Sequence, residues 1–130
     1  MKKKTGKQKG KRFVIQKHLA SHEHFDFRLE IEGILKSWAI PKIIPSKSGE
    51  KRLAVEVEDH PLEYIDFEGI IPDGNYGAGK VEIWDTGTYE IIEKTDKKII
   101  FNLNGKKTKG SYYLIKLKDN NWLLIKGKNK

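Results

Sequence analysis

The sequence predicts a mainly all-β fold, a small antiparallel β-barrel or sandwich with short helical turns. From Phe13 onward short apolar runs alternate with turn residues, and they recur about every ten residues, the spacing of a barrel or sandwich. No stretch keeps the 3.6-residue period of an amphipathic helix. The 130 residues suit one domain, because domains cluster near about 100–150 residues. A chain of this size buries roughly two-thirds of its unfolded surface, enough for a core without staples.

Residues 1–12 are rich in Lys and Gly and poor in apolar side chains, which predicts a flexible basic arm ahead of a single domain over 13–130. The apolar runs place strands at 13–16, 24–31, 35–40, 53–58, 81–84, 88–92, 99–103, 112–117 and 122–125. Between them, Glu32-Gly33, Ser48-Gly49, Asp85-Thr86-Gly87, Asn104-Gly105 and Asp119-Asn120-Asn121 read as turns. Asn104-Gly105 is the strongest hairpin signal, because both central positions of such a turn need positive φ. The stretch 61–67 predicts a helical turn. Trp38, Trp84 and Trp122 stand in apolar runs and are expected in the core rather than as platforms for stacked bases.

Lys and Arg number 26 against 18 Asp and Glu, a formal net charge of +8, and there is no cysteine. Disulfides and Cys-ligated zinc or iron–sulfur centres are thereby excluded. No run approaches the ~20 apolar residues of a membrane-spanning helix. The basic start is not followed by the apolar run of a secretory signal, so a cytoplasmic protein is expected. The charge is unevenly placed: residues 1–12 and 102–130 each carry +7, and residues 13–101 carry −6. Basic ends hold phosphate backbones without reading sequence, or serve as solubilising tails.

The candidate chemistry lies in the acidic middle. Along the strand at 24–31 the pleat sends His24, Asp26, Arg28 and Glu30 to one face, and Phe25, Phe27, Leu29 and Ile31 to the other. An imidazole and a carboxylate two residues apart point the same way and can share a divalent ion. His18, beyond a turn, can fold back as a third ligand. Two imidazoles and a carboxylate suit manganese, zinc or iron and leave positions open for water and substrate. Alternatively this is an amphipathic strand with a solvated polar face. A second strand carries Arg52, Ala54, Glu56, Glu58 and His60 on one face, and Leu53, Val55 and Val57 on the other. If the two polar faces meet, ligands, arginines and a free histidine share one pocket. A phosphoester hydrolase needs that set: charge on the phosphoryl oxygen, cations for developing charge, and a proton donor for the leaving group. The loop Gly74-Asn75-Tyr76-Gly77-Ala78-Gly79-Lys80 fits G-x-x-x-x-G-K, but Val81 replaces the Ser/Thr and a strand follows where a phosphate-binding loop opens a helix. It is expected to shape the rim of a pocket instead.

These residues carry a resemblance. Phe13-Val14-Ile15-Gln16-Lys17-His18 and His24-Phe25-Asp26-Phe27-Arg28-Leu29-Glu30 resemble the 3′-phosphoesterase module of DNA ligase D. So do Leu35-Lys36-Ser37-Trp38-Ala39-Ile40-Pro41-Lys42 and Lys51-Arg52-Leu53-Ala54-Val55-Glu56-Val57-Glu58-Asp59-His60-Pro61-Leu62-Glu63-Tyr64. Phe67-Glu68-Gly69-Ile70-Ile71-Pro72, continuing to Gly79, does as well. The similarity spans residues 13–90; the last forty residues match in strand pattern and in Trp122-Leu123-Leu124-Ile125-Lys126. The resemblance implies a small β-barrel with a manganese site, cobalt or zinc being other candidate ions. It implies trimming of DNA 3′ ends in repair: removal of a terminal ribonucleoside to leave a 3′-phosphate, then hydrolysis of that phosphate.

Carried over by position, His18, His24 and Asp26 would hold the metal. Arg28, His60 and Tyr64 would contact the reacting phosphate, with Lys42, Arg52 and Glu58 in support. Two positions depart from the pattern: His22, expected to be an exposed loop residue, and Ile43-Ile44-Pro45, where glycine commonly follows. Only the basic arm precedes Phe13, so one of the two activities is expected to be weak. Ligase and polymerase functions are expected on separate proteins, and the chain is expected to be a monomer. Two rival readings remain: a non-catalytic nucleic-acid-binding barrel, and a metallophosphatase of small phosphate esters.

Overall fold

The computed structural model describes residues 11–72, 74 and 78–128. Among these, nine strands follow in chain order: β1 (Arg12–Leu19), β2 (Glu23–Ile31), β3 (Ile34–Ile40), β4 (Lys51–Pro61), β5 (Gly69–Ile71), β6 (Gly79–Lys94), β7 (Lys98–Gly105), β8 (Lys109–Lys118) and β9 (Asn121–Lys126). A 3₁₀ turn, Leu62–Asp66, joins β4 to β5 within the predicted helical stretch. Every pairing is antiparallel, in the order β1-β2-β3-β4-β9-β8-β7-β6, and β6 pairs back to β1. Eight strands therefore close a barrel, and β5 adds to the start of β6 outside the ring. The expected all-β barrel is found.

Alternate residues of the strands fill the interior, as an eight-stranded barrel requires. Phe27 sits 6.3 Å from Trp38 and 5.9 Å from Phe101, whose ring stacks 6.0 Å from Tyr112. Trp38 and Trp122 are buried there, and Trp84 packs half-buried against Phe25 at one mouth. A second, smaller apolar cluster lies outside the barrel wall. Val14, Leu35 and Ile65 pack there with Leu62, Tyr64 and Ile83, seating the 3₁₀ turn against β1 and β3. Strand β2 is thus covered on both faces.

Four expectations are corrected. The runs at 81–84 and 88–92 form one strand, β6, and Asp85-Thr86-Gly87 lies inside it. Asp85 turns its carboxylate inward to accept the N–H groups of Lys106 (2.9 Å), Lys107 (3.2 Å) and Thr108 (2.8 Å) and the Thr108 hydroxyl (2.6 Å). Asn104-Gly105 ends β7, and the turn occupies the next three residues. Neither residue is among those with positive φ; Gly105 is needed because a Cβ there would collide with Asp85 and the Phe13 ring. Glu32 and Gly33 do take positive φ, 51° and 83°, and close the β2–β3 hairpin.

The third correction concerns β4. Its register on β3 shifts between Leu35, opposite His60, and Ser37, opposite Val57, so Glu58 and Asp59 form a bulge. The bulge reverses the alternation. Ala54 joins the interior and Glu56 binds Trp122, while Val57 and His60 turn to the outer face. Finally, β1 starts at Arg12, and Lys11 accepts a hydrogen bond from Tyr89 N–H (3.0 Å), so the sheet begins inside the stretch 1–12. Residues 1–10 lie outside the described residues, as do Asn75, Tyr76 and Gly77.

Candidate active site

The barrel interior is filled with side chains, and the polar residues of interest lie on its outer wall. A cleft of about 800 Å³ lies between the outer faces of β1–β4 and the 3₁₀ turn. His18 and His24 are cross-strand partners in the β1–β2 hairpin, and Asp26 follows on the same face of β2. One ligand atom from each of the three lies within 4.8 Å of the others. Asp26 Oδ2 is 3.3 Å from His18 Nδ1, and Oδ1 is 3.2 Å from His24 Nε2.

The donor set fits a divalent cation. His18 Nε2 is 3.2 Å from the Ala78 carbonyl, to which it can only donate. In the neutral ring this leaves a lone pair on Nδ1 facing a carboxylate oxygen, an arrangement that a shared cation relieves. The hydrogen bond to Asp26 raises the pKa of His24 against the opposing effect of burial. Burial pushes the Asp26 carboxyl up, but His24 and Arg28 together hold it below the usual value.

Arg28 adjoins this triad and is 4% exposed. Its Nε donates to Gln16 Oε1 (2.7 Å), Nη1 donates to Ser37 Oγ (2.8 Å) and to His60 Nδ1 (3.0 Å), and Nη2 stands 3.5 Å from Asp26 Oδ2. His60 Nδ1 also lies 3.2 Å from the Glu58 carbonyl, to which it could only donate; the shorter contact to Arg28, a group that only donates, favours Nδ1 as acceptor and the ring proton on Nε2. Burial and the Arg28 charge lower the pKa of His60, which keeps it neutral at pH 7. The Tyr64 ring lies 4.6 Å from His60 and 5.0 Å from the Arg28 guanidinium carbon. Burial raises the Tyr64 phenol, so it stays protonated.

His18, His24, Asp26, Arg28, Glu58, His60 and Tyr64 all line the cleft. Ala78 and Gly79 do too, which matches the expected rim role of the glycine loop as far as it is described. Lys42 and Arg52 are not brought to the cleft. Lys42 is exposed in the loop after β3, and Arg52 donates to the carbonyls of Ile43 (2.8 Å) and Lys51 (3.0 Å) and reaches Glu50 (3.3 Å). His22 is exposed, as expected. Glu30 accepts a bond from the Arg12 N–H (2.9 Å) instead of joining the site.

Sequence reasoning missed Gln16 and Ser37. Gln16 is fully buried; besides holding Arg28, its amide donates to Phe67 O (3.2 Å) and Tyr64 O (3.4 Å), linking the arginine to the 3₁₀ turn. Its signal was a polar residue after the apolar run 13–15, two positions before His18 and so on the same face. Ser37 pairs directly with Arg28 across β2 and β3.

The sequence profile of the family described as the DNA ligase D 3′-phosphoesterase domain matches residues 16–116. The chain belongs to this family. It is 49% identical over 124 residues to the multifunctional non-homologous end joining DNA repair protein LigD of Mycobacterium tuberculosis, covering 92% of this chain and 16% of that protein. It is 48% identical over 129 residues to LigD of Pseudomonas aeruginosa, covering 91% of this chain and 15% of that protein. The chain thus corresponds to a 3′-phosphoesterase portion within longer proteins of DNA end joining. Within the described residues, no helix is long and apolar enough to cross a membrane.

Proposed function

We propose that the chain is a divalent-metal-dependent phosphoesterase of DNA 3′ ends, acting as 3′-ribonucleoside phosphodiesterase and 3′-phosphomonoesterase in repair. The observation that carries this is the convergence of the His18–His24–Asp26 ligand set, Arg28 and a neutral His60 in one open cleft. Held by His18, His24 and Asp26, manganese, or cobalt or zinc, would place positive charge at a phosphoryl oxygen and acidify water. Arg28 Nη2, beside the ligand set, binds the non-bridging oxygens and stabilises charge that grows on them. The neutral His60 donates a hydrogen bond from Nε2 to the leaving oxygen, which takes its proton from water, and the Tyr64 hydroxyl donates to the phosphate. Glu58 lies at the cleft edge, and Arg52 stiffens the loop that carries Lys42 by binding the Ile43 carbonyl.

The test is a primer-template ending in a ribonucleotide or a 3′-phosphate, assayed with Mn²⁺ or EDTA. Release of the terminal group in Mn²⁺ is expected, with loss in EDTA and a drop of about 10³-fold in His24→Ala. Unchanged turnover in EDTA, or in His24→Ala, overturns the mechanism. Salt-sensitive DNA binding without any turnover would instead favour a binding module.

A further inference from the structure

If a DNA 3′ end occupies the cleft, the strand must leave in its 5′ direction, and the charge around the cleft is not even. On the side of β4 and the 3₁₀ turn, Glu58, Asp59, Glu63, Asp66 and Glu68 are all exposed. Of these five, Asp59 pairs with Lys36 (3.4 Å), which is shared with Glu56 (2.9 Å), and Asp66 pairs with Arg12 (3.1 Å). A polyanion is repelled there. Across the β2 wall the surface is of the opposite kind. Phe25, between the two ligands His24 and Asp26, packs edge-on against Trp84 at 5.6 Å. Lys107 Nζ lies 4.7 Å from the Trp84 ring centroid, and Lys106 beside it is exposed.

These lysines are not on a loose loop. Their turn is fastened through three consecutive backbone N–H groups to one buried carboxylate, Asp85, which is 3% exposed. A half-buried indole with one ammonium group over its ring, and a second lysine exposed on the same clamped turn, suits a nucleic-acid strand, whose bases stack on aromatic rings and whose phosphates pair with cations. We infer that Trp84, Lys106 and Lys107 form the track that grips the strand 5′ to the reacting end, beyond the reach of the phosphate site itself. This rests on the function proposed above.

The test compares binding, in EDTA and over a salt series, of a duplex with a recessed 3′-phosphate. Lys106→Glu/Lys107→Glu is expected to weaken it about tenfold and to flatten the salt slope by roughly 1.5–2, the share of two phosphate contacts. Lys94→Glu/Lys97→Glu makes the same charge change at the β6–β7 connection, at the other mouth of the barrel, and is expected to stay within about twofold. Trp84→Leu keeps an apolar contact to Phe25 and is expected to weaken binding about fivefold or more. Hydrolysis of a small aryl phosphate should be unchanged in all three. Equal weakening by both lysine pairs, or binding by Lys106→Glu/Lys107→Glu within twofold of wild type, overturns the track; so does a parallel loss on the aryl phosphate. A wild-type protein that binds DNA but hydrolyses nothing fails the proposed function, while the binding comparison still decides the track.

Discussion

At the residue scale, Arg28 and His24 occupy one face of β2 but answer to different partners. Arg28 is fixed from every side, by Gln16, Ser37, His60 and Asp26, so its charge is oriented before any substrate arrives. His24 is half-buried and its proton is favoured by Asp26. As a metal ligand under the proposed function its imidazole would have to be neutral, so protons and metal would compete for it, and its raised pKa would place that competition above the ordinary value of about 6.5. Activity is therefore expected to fall on the acid side, with the limb moving to lower pH as Mn²⁺ increases. Profiles of kcat/KM against pH at two Mn²⁺ concentrations check this. A limb that stays fixed would belong to another group, such as His60, whose lowered pKa places its own acid limb below the ordinary value.

At the scale of elements, the Asp85 clamp joins β6 to the β7–β8 turn. Burial would raise its carboxyl, but the Thr108 hydroxyl and the three N–H groups outweigh that and hold it low. A depressed folded-state pKa stabilises above the unfolded value of about 3.9 and loses that contribution as pH falls through the folded one. Asp85→Asn is expected to cost about 2–3 kcal/mol at pH 7, and the gap to wild type should close in strong acid; urea titrations at both pH values measure it.

The same element shows what the sequence could not disclose. Period-two alternation was enough to place β2 and group His24, Asp26 and Arg28, since its apolar residues Phe25, Phe27, Leu29 and Ile31 all fall on the other parity. Asp85-Thr86-Gly87 has turn composition because it serves a turn elsewhere, and that partner is distant in sequence. Likewise, Arg52 and His60 share a parity that the bulge at Glu58–Asp59 cancels, and a one-residue bulge leaves no mark on composition. Gln16 was hidden for a third reason: its role depends on Arg28 and the 3₁₀ turn arriving beside it.

At the scale of the molecule, the core and the cleft are separate structures on two sides of one wall. The barrel is packed with its own aromatic and aliphatic side chains, and the ligand set is attached outside it. Removing a metal held by those three residues should therefore leave the fold standing. EDTA-treated protein is expected to keep its β-sheet circular dichroism and its cooperative melt, and Mn²⁺ at about 100 times its Kd should add roughly 2.7 kcal/mol. Loss of the sheet signal in EDTA would show that the ion holds the barrel itself.

The β1–β2 pairing also bears on the order of events as the chain folds. His18, His24 and Asp26 belong to one short hairpin, whereas closure must bring Arg12 to Thr88 across most of the chain. Local contacts form early, and distant ones wait on the entropy of a long loop. A nascent chain would therefore bring these three candidate ligands together well before it possesses a barrel, while Arg28, His60 and Tyr64 are still apart.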